Sequence, residues 1–312
     1  MLFSNIALKV LAAKEVGLIK SNAQFYSNFP DQDTFEIAIA QNDELNRSLD
    51  ALTQQYSEYD VDEGFVCRFD DNFPVINSNV KNSEKPYLLF YKGNIDLLSD
   101  LNKNVAVIGL IDPTLQITQR EIEVVTELIR CDLTIVSGLA KGCDTTAHIV
   151  CVDTGKKTIA ILPSQISKIT PAANRGLAKD IVLGGGLLLT EYYKEPASRN
   201  DAVGRFIERD RLQAMFSKAV VLIASYRKNE GDSGSRHAME AARNYAIERY
   251  VMYNQETDID DRQFGLNKDL IQPPYGAVKI LNKKSVDTIK TLSNPNLSCD
   301  VKYTNPEQLK LF

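Results

Sequence analysis

The chain has 312 residues, of which 44% are hydrophobic and 25% are charged, a composition typical of a folded protein with an ordinary core. Its net charge of −5 excludes a protein that is basic all over, so any binding of nucleic acid would need a local basic patch. The five cysteines are scattered without a CxxC pair and there are two histidines, which argues against a zinc site and favours free thiols.

The N-terminus lacks the basic region and the long apolar run of a signal peptide. No apolar run approaches the length of a membrane span, and no motif indicates a cofactor. We therefore expect a cytoplasmic protein that does not associate with a membrane and carries neither a metal nor another cofactor.

Residues 1–58 are polar, and their apolar residues recur at helical spacing on either side of a break at 28–31. This pattern predicts a small helical N-terminal accessory domain. Contact of this domain with DNA or a protein partner is an alternative, although the segment is not basic. Residues 59–103 are irregular, except for an apolar strand at 87–94 that ends in Gly-Asn.

From residue 104 to about 254, continuous apolar runs alternate with amphipathic segments of helical length, such as 117–129 and 203–215. This alternation predicts an α/β fold with a doubly wound, mainly parallel sheet, and we assign residues 59–270 to that domain. The tail, 271–312, is polar, with a possible edge strand at 277–281. The predicted buried strands are 105–108, 133–136, 158–162, 187–189, 219–223 and 250–253.

Ligands bind at the carboxyl ends of the strands in such sheets, so the loop at 137–148 is the first candidate site. Gly138 and Gly142 permit close approaches that a Cβ would forbid, and Asp144 is expected to be the N-cap of the next helix. This geometry predicts a phosphate cradle, with Lys141 as a phosphate contact or, alternatively, a solvated loop lysine. His148 is expected to be a packed or capping group rather than a catalyst.

Two further loops follow strands. The loop that begins at Gly109 has neither the G-x-G-x-x-G fingerprint nor the spacing and lysine of a P-loop. The loop at 231–238 combines serine and glycine with Arg236 and His237, which predicts a second anion cradle at a helix start. A flexible loop with an ordinary N-cap is the alternative.

Basic residues concentrate in the second half of the chain, and arginine suits phosphate recognition. Acidic residues are interleaved with them, so we expect some of these cations to form ion pairs on helix surfaces and up to half of them to be structural. No GxSxG elbow, HExxH motif or conspicuous pair of catalytic carboxylates occurs, and nothing marks Glu191 as an acid or base. The concentrated basic residues are Arg175, Arg199, Arg205, Arg209, Arg211, Arg227, Lys228, Arg236, Arg243 and Arg249.

An ordered set of short motifs covers roughly residues 60–255 and resembles the DprA/Smf family of DNA-processing proteins. Each motif is weak alone, whereas the ordered set is specific. The matching pieces are Tyr-Lys-Gly-Asn at 91–94, Val-Ala-Val-Ile-Gly at 105–109 with Pro-Thr at 113–114, Ser-Gly-Leu-Ala-x-Gly-x-Asp-x-x-Ala-His at 137–148, Thr-Ile-Ala-Ile-Leu at 158–162, Pro-x-x-Asn-x-x-Leu at 171–177, Leu-Leu-Thr-Glu-Tyr at 188–192, Phe-x-x-Arg-Asp-Arg at 206–211, and Ser-Gly-Ser at 233–235 followed by Ala238.

The resemblance implies an extended Rossmann-like fold and a non-enzymatic recombination mediator. Such a protein binds single-stranded DNA, forms a homodimer and helps to load a RecA-type recombinase, notably in natural transformation. The implied DNA site is a positively charged cleft at the strand ends, as the loops also suggest. The residues expected to bind DNA or phosphate are Gly109, Ser137, Gly138, Lys141, Gly142, Asn174, Arg175, Arg209, Arg211, Ser233, Gly234, Ser235 and Arg236.

The chain departs from the family pattern in places. The family has Gly-Ser/Thr-Arg after the first strand, where this chain has Gly109 followed by Leu110 and Ile111, and Asp210 replaces an asparagine between two arginines. Two alternatives therefore stay open. One is a regulatory protein that has lost its DNA contacts. The other is a protein that binds or processes a small nucleotide, although Ala238 stands where related nucleotide hydrolases carry glutamate.

Overall fold

The computed structural model describes residues 3–56, 63–231, 234–273 and 277–292. A nine-stranded sheet runs through the described residues, built from β1 (Glu63–Cys67), β2 (Leu88–Gly93), β3 (Asn104–Ile108), β4 (Thr134–Ser137), β5 (Thr158–Ile161), β6 (Leu187–Thr190), β7 (Ala219–Leu222), β8 (Glu248–Val251) and β9 (Val278–Ile280). The spatial order of the strands is β1-β2-β6-β5-β4-β3-β7-β8-β9.

Helices cover the sheet and form the N-terminal region. They are α1 (Asn5–Glu15), α2 (Asn22–Asn28), α3 (Gln32–Ile39), α4 (Asp43–Tyr56), α5 (Leu115–Arg130), α6 (Cys143–Asp153), α7 (Arg175–Leu183), α8 (Arg199–Met215), α9 (Ser235–Asn244), α10 (Gly265–Leu270) and α11 (Lys283–Thr291). Short 3₁₀ turns lie at Ile95–Leu98, Leu101–Lys103, Ile166–Lys168, Ala172–Asn174 and Arg262–Phe264.

The central strands are buried over nearly their whole length, which explains why the sequence shows continuous apolar runs rather than alternation. Seven strands, from β6 to β9 in the spatial order, pair in parallel, and only the β1–β2 and β2–β6 pairs are antiparallel. The predicted doubly wound, mainly parallel α/β fold is therefore confirmed.

Two edges of the sheet differ in how well the sequence predicted them. The edge strand expected at 277–281 is present as β9, which pairs in parallel with β8. The segment 59–103 was expected to hold one strand, but it also contains β1. The prediction was wrong there because β1 is only five residues long and includes Gly64, so it lacks the periodicity that marks a strand.

The predicted helical region contains four helices, and side chains of Ser4, Ser21 and Asp31 accept hydrogen bonds from the first turns of α1, α2 and α3. Their apolar faces share one core with β1 and β2, where Phe25 stacks on Tyr87 at a centroid distance of 4.5 Å. The helices thus pack on the antiparallel end of the sheet, and the assignment of 1–58 as a separate domain stays a prediction.

The carboxyl-terminal part is tied to the sheet through buried polar side chains. Lys218, which is 2% exposed, donates from Nζ to the carbonyls of Lys290 and Leu292 at the end of α11, 3.1 Å in each case. The Asn267 amide bonds to Ser225 N and to the carbonyls of Ile223 and Met252. These bonds hold the ends of β7 and β8 together.

The cysteines that the structure describes, Cys67, Cys131, Cys143 and Cys151, are free. Cys299 and the candidate site residue Ser233 lie outside the described residues. None of the helices in the described part of the chain combines the length and the apolar character that a membrane span requires.

Candidate nucleic-acid interface

A small cavity lies at the carboxyl ends of the central strands. The sheet order β4-β3-β7 places β3 where the winding direction reverses, and the loops that follow β3 and β7 separate at this point. The cavity has a volume of about 30 Å³, enough for ordered water or the oxygens of one phosphate at its mouth. Its polar lining comes from Asp144, Arg209, Asp210, Gln213 and Ser235.

Arg209 projects from α8 and lies directly on the loop that follows β4. A Cβ on Gly138 would overlap the Arg209 guanidinium, so only glycine leaves room for it. The side chain is buried, and its Nη1 lies 3.6 Å from Asp144 Oδ2 while its Nε lies 3.5 Å from Asp210 Oδ1. Within the described residues, Nε and Nη1 have no partner at hydrogen-bond geometry. A buried cationic donor thus borders the cavity with bonding capacity unused.

Asp144 has a different role from the predicted one. Gly142 is the N-cap of α6 and makes no side-chain hydrogen bond there, whereas Asp144 is the second residue of the helix. The Asp144 carboxylate turns back and accepts hydrogen bonds from Gly138 N at 3.1 Å and Ala140 N at 3.2 Å. The N-cap prediction was wrong because the loop curls over the helix start. The chain's own carboxylate therefore occupies the amides predicted to cradle a phosphate.

Gly142 joins the loops that follow β3 and β4. Its φ of +73° and ψ of −126° are accessible in practice only to glycine, and a Cβ there would collide with backbone atoms of Leu110 and Ile111. Cys143 N donates to Leu110 O at 2.9 Å beside it. The expectation that Gly138 and Gly142 permit close approach is confirmed, and both contacts are made within the protein.

Two further predicted site residues also bind the loop itself. The Asn174 amide donates to Leu139 O and to Thr145 Oγ1, each at 2.8 Å, and Ser137 Oγ donates to Val107 O at 2.7 Å. Ser137 is fully buried. These residues position the loop and leave little polar capacity for a ligand.

The other wall of the cavity is the start of α9. Ser235 Oγ donates to Gly109 O at 3.1 Å, which fastens the helix start to the loop after β3. Gly234 precedes the helix with a positive φ of 87°, and Arg236 lies half-buried in the first turn. Ser235 and Ala238 thus place the start of α9 in the cavity lining, and the N-terminal end of a helix favours an anion.

Several of the concentrated arginines form ion pairs. Arg211 binds both oxygens of Glu191 at 2.8 Å, and its Nε donates to Glu84 O. Arg205 pairs with Asp201 one turn away at 3.1 Å. The expectation that many of these cations are structural is confirmed for these two. Arg211 is thereby held away from the cavity, although it was a candidate phosphate ligand.

Lys141 and Arg175 are the exposed cations at the rim. Lys141 sits in the loop after β4 and Arg175 starts α7, next to the Asn174 side chain that holds this loop. Both side chains reach solvent, so neither carries a desolvation cost before a ligand arrives. In contrast, Ile111, at the position after β3 where the family carries a cation, is exposed and apolar.

Two titratable groups lie buried behind the loop. Burial raises the pKa of the Glu121 carboxyl to about 9, with the Cys143 thiol and the Asp144 charge beside it. Burial, followed by the nearby Arg209 charge, lowers the pKa of His148 to about 3. His148 Nδ1 lies 2.8 Å from Thr158 Oγ1, so the histidine is a packed group as predicted.

The arrangement can bind an anion. In the described ranges no three His, Cys, Asp or Glu side chains are placed to hold a metal ion.

Sequence reasoning did not include Phe206 among the candidate site residues. Phe206 lies one helical turn before Arg209 on α8 and is 38% exposed. It was visible only as part of a motif, because an exposed aromatic side chain and a buried one have the same sequence signal.

These features define a Rossmann-like α/β protein with a small, polar cavity at the carboxyl ends of its central strands. A family model described as DNA recombination-mediator protein A matches residues 64–286, and the chain belongs to this family. The match covers the nine strands except Glu63, the first residue of β1, together with every candidate site residue.

Curated relatives agree with this assignment. The chain is similar to DNA processing protein DprA of Streptococcus pneumoniae, with 33% identity over 174 residues, or 56% of this chain and 58% of that protein. It is also similar to Protein Smf of Borreliella burgdorferi, with 26% identity over 227 residues, 73% of this chain and 64% of that protein. The alignments thus span less than two thirds of the length of each relative.

Solved structures show the same fold. The X-ray structure of DprA from Streptococcus pneumoniae matches with a TM-score of 0.63 and 26% identity, covering 91% of this chain and 93% of that one. DprA from Helicobacter pylori, described by its single-stranded DNA binding mode, matches with a TM-score of 0.58 and 24% identity over 73% of this chain and 95% of that one. The latter likeness concerns the fold alone.

Proposed function

We propose that this protein binds single-stranded DNA through the strand-end site and acts as a non-enzymatic recombination mediator. The observation that carries the proposal is the buried Arg209 guanidinium, 4% exposed, with Nε and Nη1 free of hydrogen bonds to described residues beside an open cavity. A phosphate oxygen would satisfy donors that are otherwise costly to bury.

The rim offers a path for the strand. Lys141 and Arg236 each follow a residue of the cavity lining, Ala140 and Ser235, and Arg175 follows Asn174, which donates to Ala140 O, so the three can supply positive charge beside the cavity. Phe206 presents an aromatic face next to Arg209, where a base can stack. Gly109, Gly234 and Ser235 bring backbone close to the same point.

The test measures binding of a short oligothymidylate by fluorescence anisotropy over a range of salt concentrations. We expect affinity to fall as salt rises, with a slope in log K of about 0.7 for each phosphate neutralised. Arg209→Ala is expected to lower affinity about tenfold, as loss of a charge-assisted bond implies. Arg130→Ala is the matched control, because Arg130 is exposed on α5 and pairs only locally with Glu127.

Because Arg209 is buried, thermal melting must show that the Arg209→Ala variant is folded. The double variant Lys141→Ala with Arg175→Ala changes exposed residues alone and provides a second measurement. The proposal fails if wild-type protein shows no salt-dependent binding, or if neither variant differs from the Arg130→Ala control.

The same proposal includes a homodimer, a RecA-type recombinase as partner and a cytoplasmic location. On α8, Val203, Phe206 and Ile207 form an exposed apolar row beside the site, which suits a protein contact. Light scattering would measure the dimer, and co-purification with a recombinase filament would measure the partnership. A Val203→Lys variant should weaken one or both.

The exposed Ile111 supports one other candidate, a regulatory member of the family that has lost its DNA contacts. Recombinase binding without DNA binding would favour it. A nucleotide-processing enzyme is disfavoured because Ala238, which lines the cavity, has no acid–base group. Release of free base from nucleoside monophosphates would establish that enzyme instead.

A further inference from the structure

Helix α9 borders several cavities, two of which lie on different faces of the helix. Ser235 and Ala238 face the strand-end site, whereas Met239 and Arg243 line a larger cavity of about 380 Å³. The larger cavity lies between α9, α10 and the start of the loop that follows β7, and its volume falls within the range of small-molecule sites. Arg236 lines the larger cavity from the first turn of α9.

The lining of this second cavity is strongly cationic in a protein whose net charge is −5. Arg227 is neutralised by Asp269, with two bonds of 2.7 and 2.8 Å. Besides this pair, the charged residues of the lining are four cations and the carboxylate of Glu240. The cations are Lys228, Arg236, Arg243 and Arg249.

Arg249 contributes a buried positive charge that lies near a second guanidinium group. It comes from β8 and is 8% exposed, so most of its side chain is removed from water. Burial, followed by repulsion from Arg243, lowers the pKa of Arg249. Two guanidinium groups close enough to repel each other gain stability when an anion lies between them.

The floor of the cavity is apolar. Met239 and Leu270 are buried beneath it, and Leu266 packs beside them. An inorganic anion would leave this surface uncovered, whereas a nucleotide has a flat, weakly polar base or sugar that can lie on it. Arginine planes also stack on bases.

We propose that this cavity is a second nucleotide site, in which Lys228, Arg243 and Arg249 bind a phosphate and the floor of Met239 and Leu270 contacts the base. The nucleotide is either free or one residue of a DNA strand that passes over the start of α9. The site differs from the strand-end site, since the two lie on different faces of the helix and Lys228, Arg243 and Arg249 line only the larger cavity.

The experiment uses the full chain with two probes, thymidine monophosphate and a short oligothymidylate. The double variant Lys228→Ala with Arg243→Ala changes two exposed residues and is compared with Arg209→Ala at the strand-end site and with the Arg130→Ala control. Calorimetry follows the monophosphate, and anisotropy at several salt concentrations follows the oligothymidylate.

For a free nucleotide, we expect the monophosphate to bind wild type and Arg209→Ala equally, and to lose about tenfold or more in affinity in the double variant. For a nucleotide of the strand, the monophosphate does not bind, but the double variant lowers the oligothymidylate salt slope by about 0.7, the value for one phosphate contact. The proposal is overturned if the double variant matches Arg130→Ala with both probes. Loss of binding in Arg209→Ala alone would leave the strand-end proposal standing and remove this one.

Discussion

The loops before α6 and α9 share one sequence pattern and differ in what their donors bind. Both place small residues and glycine between a buried strand and a helix. In the loop after β4, backbone N–H groups donate to the Asp144 carboxylate and a backbone carbonyl accepts from the Asn174 amide, while Gly138 packs against Arg209. At the start of α9, Ser235 ties the helix to Gly109, and the first turn lies at the mouth of the cavity. Small residues before a helix thus indicate a place where two loops of the chain pack closely together. Whether that place can bind an anion depends on the position of the nearest carboxylate.

The largest effect is expected from disturbing the contact between the loop after β4, the first of these two loops, and the loop after β3. Gly142→Ala places a Cβ against Leu110 and Ile111 at a φ of +73°, so we expect a loss of about 3 kcal/mol in the free energy of unfolding. Urea denaturation measures it. Gly204→Ala on α8, where no atom lies within 4 Å of the added Cβ, is the control and is expected to stabilise by about 0.5 kcal/mol. Equal effects of the two substitutions would show that this contact is not tightly packed.

Asp144→Asn tests whether the first loop is occupied by its own anion. Loss of the charge weakens two backbone hydrogen bonds and the pairing with Arg209, so we expect the unfolding free energy to fall by about 2 kcal/mol. Affinity for oligothymidylate is expected to rise about threefold, because a competing carboxylate leaves the cavity. Anisotropy and urea denaturation together separate the two effects.

Asp153→Asn is the control, since Asp153 is exposed at the end of the same helix and gives the same change in net charge. If Asp144→Asn lowered affinity while Asp153→Asn did not, the carboxylate would be helping the ligand rather than excluding it.

The large-scale fold was predictable because buried strands leave a strong signal. The apolar runs at 105–108 and 219–223 correspond to β3 and β7, and the amphipathic pattern at 203–215 lies within α8. The partner of Arg211 is Glu191, twenty positions away, and no local pattern indicates that pair. The turn of Asp144 back to Gly138 likewise depends on loop dihedrals that composition does not specify. Site residue types were therefore accessible from the sequence, whereas their partners required the structure.

Glu121 lies beneath the first loop and makes its stability depend on pH. Its pKa is raised by burial to about 9, so the fold favours the protonated carboxyl. This contribution is complete below 4.5, the ordinary pKa of glutamate, and is lost as the pH rises towards 9. Glu121→Gln should therefore stabilise the protein increasingly as the pH rises from 4.5 towards 9, with little effect near pH 4.5.

Thermal melting at several pH values checks this expectation. Glu123→Gln, an exposed position on the same helix, is the control and should show no such trend. A Glu121→Gln difference that stays constant across the pH range would mean that the carboxyl is already charged in the folded protein.

The smallest expected effect concerns the exposed rim of the first loop. Lys141→Ala removes a solvated cation while the bonds of Asp144 and Asn174 remain, so stability should not change. If Lys141 touches one phosphate, the salt slope for oligothymidylate falls by about 0.7 and affinity falls about twofold at moderate salt. An unchanged slope would mean that the loop after β4 only positions Arg209 and does not contact the DNA. The phosphate would then be bound at the start of α9 without help from Lys141.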